Sequence, residues 1–146
     1  LASLDSRIRG VRLSRNVGSF IAIVCGLRQS QGECAVVLAA DLQDPPEKIS
    51  ELLEQWHKGA QVVWAVRGQR QGEKLYNRFF ARVYYYVMRR FVGVEMPPSG
   101  ADFFLLDRCV VDAFRQFQER NLSVLPLITW MGFRQTSITY DKQARL

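Results

Sequence analysis

The stretch that decides the fold is Ala35-Val-Val-Leu38 together with the run that follows it, Ala39-Ala-Asp-Leu-Gln-Asp-Pro-Pro-Glu47. The apolar residues, bounded by turn-forming residues, predict a strand buried on both faces of a parallel sheet. Such a strand delivers Asp41 and Gln43 to its carboxyl end, where ligands of open α/β sheets bind. Residues two apart in an extended chain share a face, so both side-chain oxygens can meet one cation.

A helix is predicted to begin directly after these residues. Asp44 can cap it, prolines are tolerated in its first turn, and Glu47 follows the cap by three residues. The pattern therefore favours capping for Asp44. For Asp41 and Gln43 a second interpretation stays open, in which Asp41 ends the strand and Gln43 is a solvated turn residue.

Strands and helices alternate along the chain, which predicts an α/β sheet protein. Cysteines and the single His57 lack the spacing of a zinc site or a nucleophilic triad. Besides the helix that ends at Gly59, helices are predicted at 16–28 (capped by Asn16), 75–92, 109–118 and 122–130, and strands at 9–14, 34–40, 61–66, 101–106 and 133–140.

The excess positive charge is concentrated in one part of the chain. The formal net charge is +6, and residues 67–90 hold seven basic residues against one acidic residue. The rest of the chain is therefore neutral. A concentrated basic stretch predicts an anionic partner such as phosphate, a membrane surface or nucleic acid.

The predicted helix 75–92 interleaves aromatic residues with four arginines. A basic, aromatic-rich amphipathic helix is typical of the membrane interface, where rings lie at headgroup depth and arginines meet lipid phosphate. A core helix with one charged face explains the apolar residues equally well. A nucleic-acid surface also fits, but no known recognition motif is present.

Two further groups carry candidate chemistry. Arg67, Arg70 and Lys74 follow a strand end and can close over phosphates, although a solvated loop has the same composition. Asp102 lies in an apolar strand after Ser99-Gly100, which suggests an active-site carboxylate or a strand-edge acid bonded to backbone amides.

Taken together, these motifs resemble the family 2 inverting glycosyltransferases of the dolichol-phosphate mannose synthase and bacterial polyprenyl-phosphate glycosyltransferase type. The resemblance covers almost the whole chain. It is carried, in chain order, by Arg15-Asn-Val-Gly18, Asp41-Leu-Gln-Asp-Pro-Pro-Glu47, Val66-Arg67 and Gly100-Ala-Asp-Phe-Phe-Leu-Leu-Asp-Arg108.

The resemblance implies a GT-A fold, a Rossmann-like, mostly parallel sheet flanked by helices, with residues 1–146 as a partial catalytic domain. It also implies a nucleotide-diphosphate sugar donor and a polyprenyl-phosphate acceptor at the cytoplasmic face of the membrane, with helix 75–92 on the anionic surface and no nucleic-acid partner. The implied site residues are Asp41 and Gln43 as ligands of Mg²⁺ or Mn²⁺, Asp41 and Asp102 as catalytic residues, and Arg15, Asp41, Arg67, Arg70 and Lys74 as donor or phosphate ligands.

The sequence departs from the family pattern in three places. Ala39 stands where many members have a first aspartate, and Phe104 where many have arginine. The family's opening strand and its C-terminal anchors have no counterpart here, so we expect these residues to be part of a longer enzyme and inactive alone. The competing functions are a nucleotidyltransferase of similar fold and a catalytically dead module that binds membranes or nucleic acid.

Overall fold

A computed structural model of the chain describes residues 5–41, 43–68, 103–117 and 124–141. These residues form an α/β structure, which confirms the predicted class. In chain order the elements are α1 (Ser19–Gln29), β1 (Cys34–Val37), a 3-10 turn (Pro46–Lys48), α2 (Ile49–His57), β2 (Val62–Arg67), β3 (Phe103–Asp107), α3 (Arg108–Gln116), α4 (Val124–Trp130) and β4 (Gln135–Tyr140).

The four strands form one sheet in the order β1-β3-β2-β4. β3 is antiparallel to both β1 and β2, whereas β2 and β4 are parallel. Three of these four strands, β1, β2 and β4, therefore run in the same direction. Their last residues, Val37, Arg67 and Tyr140, lie toward one end, which we call the carboxyl end of the sheet. β3 starts at that end with Phe103.

β1 differs from its prediction. It ends at Val37 rather than residue 40, its residues are half-buried, and within the described residues it pairs with β3 alone. The strands buried on both faces are instead β2 and β3, because they lie inside the sheet and have helices on either side.

The residues of β3 alternate between two hydrophobic clusters. Phe104 and Leu106 pack in the cluster that contains residues of α1, α3 and α4. Phe103 and Leu105 pack on the other face, with Leu52 of α2. These four apolar side chains are fully buried, and burying each one stabilises the fold by about 1.5–3 kcal/mol.

The helix boundaries agree with the sequence predictions at most ends but not at the start of α1. This helix begins after Gly18, whose φ of 84° is accessible to glycine, and not after Asn16. Asn16 instead accepts a hydrogen bond from the Gly18 N–H at 3.0 Å. The strand predicted at 9–14 is wrong, because these residues are irregular. α2 ends before Gly59 (φ 95°), as predicted.

The remaining described elements begin and end within two residues of their predictions. Helix 75–92 lies outside the described residues. In the part of the chain that the structure describes, no helix combines the length and hydropathy needed to cross a membrane.

Two arginines of α3 fasten the turn between α1 and β1. Arg108 Nε donates to the Gly32 carbonyl at 2.7 Å, and Arg115 donates to the Arg28 carbonyl at 3.0 Å. Both arginines also pair with Asp112, at 3.3 and 3.0 Å. Backbone carbonyls at the end of α1 therefore find cationic donors on α3, which ties the two helices together.

Asp107 joins α3 to α2. It caps α3 by accepting a hydrogen bond from the Cys109 N–H at 2.8 Å, and its second oxygen accepts from Trp56 Nε1 at 2.6 Å. Burial opposes ionisation of this carboxyl, but the hydrogen bonds from Cys109 and Trp56 outweigh it and hold the pKa of Asp107 below its usual range.

Replacing Asp107 with alanine removes both hydrogen bonds, so we expect a loss of about 2 kcal/mol in the free energy of unfolding. Because the lowered pKa favours the ionised form, the wild-type advantage is complete above about pH 4 and declines as the pH falls further. Urea denaturation at neutral and acidic pH measures both effects. Asp112→Ala, which breaks only exposed ion pairs, should cost less than 1 kcal/mol, and equal losses in the two variants would contradict the assignment.

Candidate active site

Asp41 and Gln43 lie in a turn at the carboxyl end of the sheet. β1 ends four residues before Asp41, so strand alternation does not bring the two residues together. A turn does so instead, in which Asp41 Oδ1 accepts a hydrogen bond from the Gln43 N–H at 3.2 Å. Both side chains are half-buried. The loop therefore presents a carboxylate and an amide from neighbouring positions.

Asp44 does not have the capping role that its position predicts. The cap position of the 3-10 turn is Pro45, with no side-chain cap hydrogen bond. Asp44 is almost fully buried, at 1% exposed, and its Oδ1 accepts a hydrogen bond from the Tyr140 hydroxyl at 2.5 Å. Its side chain thus links the loop after β1 to the end of β4, which is why the capping prediction is wrong.

Arg67 ends β2 and lies opposite Tyr140 in the parallel ladder between β2 and β4. The Gly68 N–H donates to the Tyr140 carbonyl at 2.8 Å, which extends this ladder past Arg67. The positive charge of Arg67 also acts on the Tyr140 hydroxyl, where it favours a lower pKa of Tyr140. Arg67 and Asp44 therefore both neighbour Tyr140, and Asp44 belongs to the loop that carries Asp41 and Gln43.

Tyr140 occupies the centre of this arrangement. Its side chain is 3% exposed, and its ring packs edge-on against Phe103 with the ring centroids 5.8 Å apart. Burial and the hydrogen bond to Asp44 raise the pKa of Tyr140 to about 12, against the opposing effect of Arg67. The hydroxyl therefore stays protonated at neutral pH.

The donor set at this loop fits a divalent cation that shares its coordination with a substrate. Mg²⁺ is commonly held by one or two protein carboxylates together with substrate phosphates, and amide oxygens also suit it. Asp41 and Gln43 would supply one oxygen ligand of each kind. The described residues contain no group of three or more His, Cys, Asp and Glu side chains that could hold a metal by themselves.

The other predicted site residues are not brought into this cluster by the described structure. Arg15 is exposed in the irregular segment before α1, and its side chain makes no hydrogen bond within the described residues. Arg70, Lys74 and Asp102 lie outside the described residues. His57 contacts the Leu53 carbonyl through Nδ1 at 2.7 Å, at the end of α2.

The sequence of the chain shows which protein family it belongs to. The sequence model of glycosyl transferase family 2 matches residues 1–115, well over half of the chain. The chain belongs to glycosyl transferase family 2. The matched region includes the Asp41 loop, Arg67 and Asp102, whereas β4 and Tyr140 lie beyond it.

Curated relatives of this family 2 chain match nearly all of it. It is 42% identical to an uncharacterized glycosyltransferase of Synechocystis sp., over 97% of this chain and 44% of that protein. It is 40% identical to the uncharacterized glycosyltransferase YkcC of Bacillus subtilis, over 98% and 44%. Bactoprenol glucosyl transferase of Shigella phage SfV is 30% identical, over 100% and 48%. The chain therefore spans about half the length of these relatives.

The sequence did not predict that Tyr140 belongs to the site of this family 2 chain, or that it is a hydrogen-bond partner of Asp44. Tyr140 is the last residue of a strand that the sequence predicted with the correct end. The rule that identified Asp41 and Arg67, which looks for polar groups at the carboxyl ends of parallel strands, applies equally to Tyr140. Position along the strand is enough to select Tyr140, but only the structure reveals its buried hydrogen bond to Asp44.

Tyr140→Phe provides a test of the buried hydroxyl. The pKa of Tyr140 is higher in the folded protein than in the unfolded chain. The contribution of its hydroxyl to the free energy of unfolding is therefore complete below about pH 10 and is lost as the pH rises toward 12. We expect wild type to unfold at higher urea concentration than Tyr140→Phe at pH 8, with the difference narrowing from pH 10 upward. A difference that does not change with pH would refute the raised pKa.

Proposed function

We propose that the full-length protein is a glycosyltransferase that moves a sugar, with inversion, from a nucleotide-diphosphate sugar to a polyprenyl phosphate at the cytoplasmic face of the membrane. The observation that carries this proposal is the 30% identity, over all 146 residues, to a bactoprenol glucosyl transferase. Membership of glycosyl transferase family 2 supports the reaction class. The lipid acceptor is inferred from that relative's name.

The turn after β1 supplies the residues for a metal-assisted reaction. Asp41 and Gln43 would hold Mg²⁺ or Mn²⁺ together with the donor diphosphate, since the hydrogen bond from the Gln43 N–H to Asp41 Oδ1 keeps the two residues in one turn. When bound, the cation would neutralise the charge that develops on the leaving diphosphate. Asp41 provides the carboxylate of the pair, so it carries most of the electrostatic attraction.

Arg67 is suited to bind a donor phosphate near that loop. A guanidinium gives directional hydrogen bonds to phosphate oxygens and keeps its charge at any physiological pH. Arg67 lies opposite Tyr140 in the β2–β4 ladder, and the Tyr140 hydroxyl bonds Asp44 in the loop that carries Asp41 and Gln43. We propose Arg15, Arg70 and Lys74 as further ligands of donor or lipid phosphate.

The transfer itself needs little acid–base chemistry. An oxygen of the lipid phosphate forms the new bond to the anomeric carbon, while the bond from that carbon to the donor diphosphate breaks and the nucleoside diphosphate leaves. The acceptor phosphate is already ionised at neutral pH, so no proton has to be removed before attack. We assign Asp102 to the acceptor side and helix 75–92 to the anionic membrane surface.

We expect Asp41→Asn to lower the rate of glycolipid formation by at least about 100-fold, because the substitution removes the negative charge that would attract the metal. Full-length protein is incubated with Mg²⁺ or Mn²⁺, a polyprenyl phosphate and a panel of nucleotide sugars, and the glycosylated lipid is detected by mass spectrometry. The donor that gives product identifies the sugar and the nucleotide.

Asp112→Asn is the matched control, since it makes the same chemical change on α3, which begins at the opposite end of the sheet. It should keep activity close to wild type. If a folded wild-type protein bound anionic vesicles but formed no product from any donor, the proposed reaction would be wrong and a non-catalytic membrane module would be favoured.

Asp102→Asn tests the acceptor-side carboxylate in the same assay. We expect a reduction of about tenfold or more in kcat/KM for the polyprenyl phosphate, because asparagine lacks the negative charge that would stabilise positive charge developing at the anomeric carbon. Activity near that of wild type would remove Asp102 from the catalytic residues.

A further inference from the structure

Three separated parts of the chain meet at the hydroxyl of Tyr140. Asp44, in the loop after β1, accepts the hydrogen bond of this hydroxyl, and Arg67, at the end of β2, lies opposite Tyr140 at the end of β4. Asp44 and Tyr140 are almost completely buried, at 1% and 3% exposed. Neither residue has a part in the metal or phosphate contacts proposed above, so their hydrogen bond calls for another explanation.

The arrangement is stiff at each of its ends. The Tyr140 ring packs against Phe103, and its backbone is held in the β2–β4 ladder opposite Arg67. Asp44 immediately precedes Pro45, whose ring fixes one backbone angle at the start of the 3-10 turn. The hydroxyl therefore joins two backbone segments that already have little freedom, and a hydrogen bond between such segments loses little entropy.

We propose that Tyr140 is a positioning residue for donor binding, whose hydroxyl holds the Arg67 guanidinium beside the loop that carries Asp41 and Gln43. The inference rests on the proposed function and deepens it. Without the hydrogen bond between Tyr140 and Asp44, the distance between the Arg67 guanidinium and the loop would depend on freely rotating side chains. Correct placement of both groups is what lets them bind the same diphosphate.

A role in proton transfer does not fit this hydroxyl. It is shielded from solvent, and its hydrogen bond is directed to Asp44 rather than toward the loop residues Asp41 and Gln43. Its effect should therefore appear in donor binding, through Arg67, and not as a change in the pH dependence of the chemical step.

Tyr140→Phe in the full-length protein tests the proposal, because phenylalanine keeps the ring against Phe103 and removes only the hydroxyl. We expect KM for the nucleotide sugar to rise about tenfold, the size expected for loss of a hydrogen bond to a charged group, with kcat changed less than about threefold. The pH profile of kcat should stay that of wild type. Thr129→Val is the control, because it removes another buried hydroxyl that bonds within α4, to the Leu125 carbonyl.

A double-mutant cycle with Arg67→Gln tests whether Tyr140 acts through Arg67. If it does, adding Tyr140→Phe to Arg67→Gln should raise the donor KM by less than about twofold, although each single change raises it strongly. Additive effects would show that Tyr140 acts elsewhere and would overturn the proposal. A donor KM in Tyr140→Phe equal to that of wild type would overturn it as well.

The same assay separates this inference from the proposed function. Product formation by wild type with an unchanged donor KM in Tyr140→Phe would reject the positioning role alone, whereas no product from wild type would reject both. Should Tyr140→Phe fail to fold, as judged by its thermal melt, Asp44→Ala removes the same hydrogen bond from the other side. It should give the same rise in donor KM, and a wild-type KM there would reject the bridge.

Discussion

The placement of β3 between β1 and β2 is the constraint on which the rest of the described structure depends. Every side chain from Phe103 to Leu106 is fully buried, alternately against α2 and against the cluster that contains α1, α3 and α4. One strand thus supplies apolar side chains to both faces of the sheet, and the helices on each face pack against it. Because β3 runs opposite to its neighbours, β1, β2 and β4 all end on the side where β3 begins.

That common direction explains why chemistry gathers at one end of the sheet. The Asp41–Gln43 turn, Arg67 and Tyr140 follow or end three different strands, and each reaches the carboxyl end because its strand does. The opposite end serves stability instead. There Asp107 caps α3 and accepts a hydrogen bond from Trp56, while Arg108 binds a carbonyl in the turn after α1 and Arg115 binds one in its last turn. The two ends of one sheet therefore separate the candidate active site from the contacts that fasten the helices.

Much of the fold was predictable because it depends on local patterns. Apolar periodicity located the described helices, and Gly59 marked the end of α2, since both signals act over a few neighbouring residues. Residues 9–14 have an extended-looking pattern but form no strand, because pairing is decided by distant partners. For the same reason the sequence did not reveal the reversed direction of β3, or that β1 lies at the edge of the described sheet. At the site, the positions of Asp41 and Arg67 followed from strand ends. The role of Asp44 did not, because its local pattern matches a helix cap, whereas its actual partner lies 96 residues away.

The β2–β4 ladder also has a consequence for the order of folding. Arg67 and Tyr140 are opposite each other in space but separated by more than 70 residues of chain, so their pairing closes a large loop. Contacts of such long range form slowly compared with the helices and tight turns, which need only near neighbours. The Asp41 turn can form early, but its connection to Arg67 through Tyr140 forms only once β4 has joined the sheet. An intermediate without β4 can therefore contain several native helices and still lack a preorganised site.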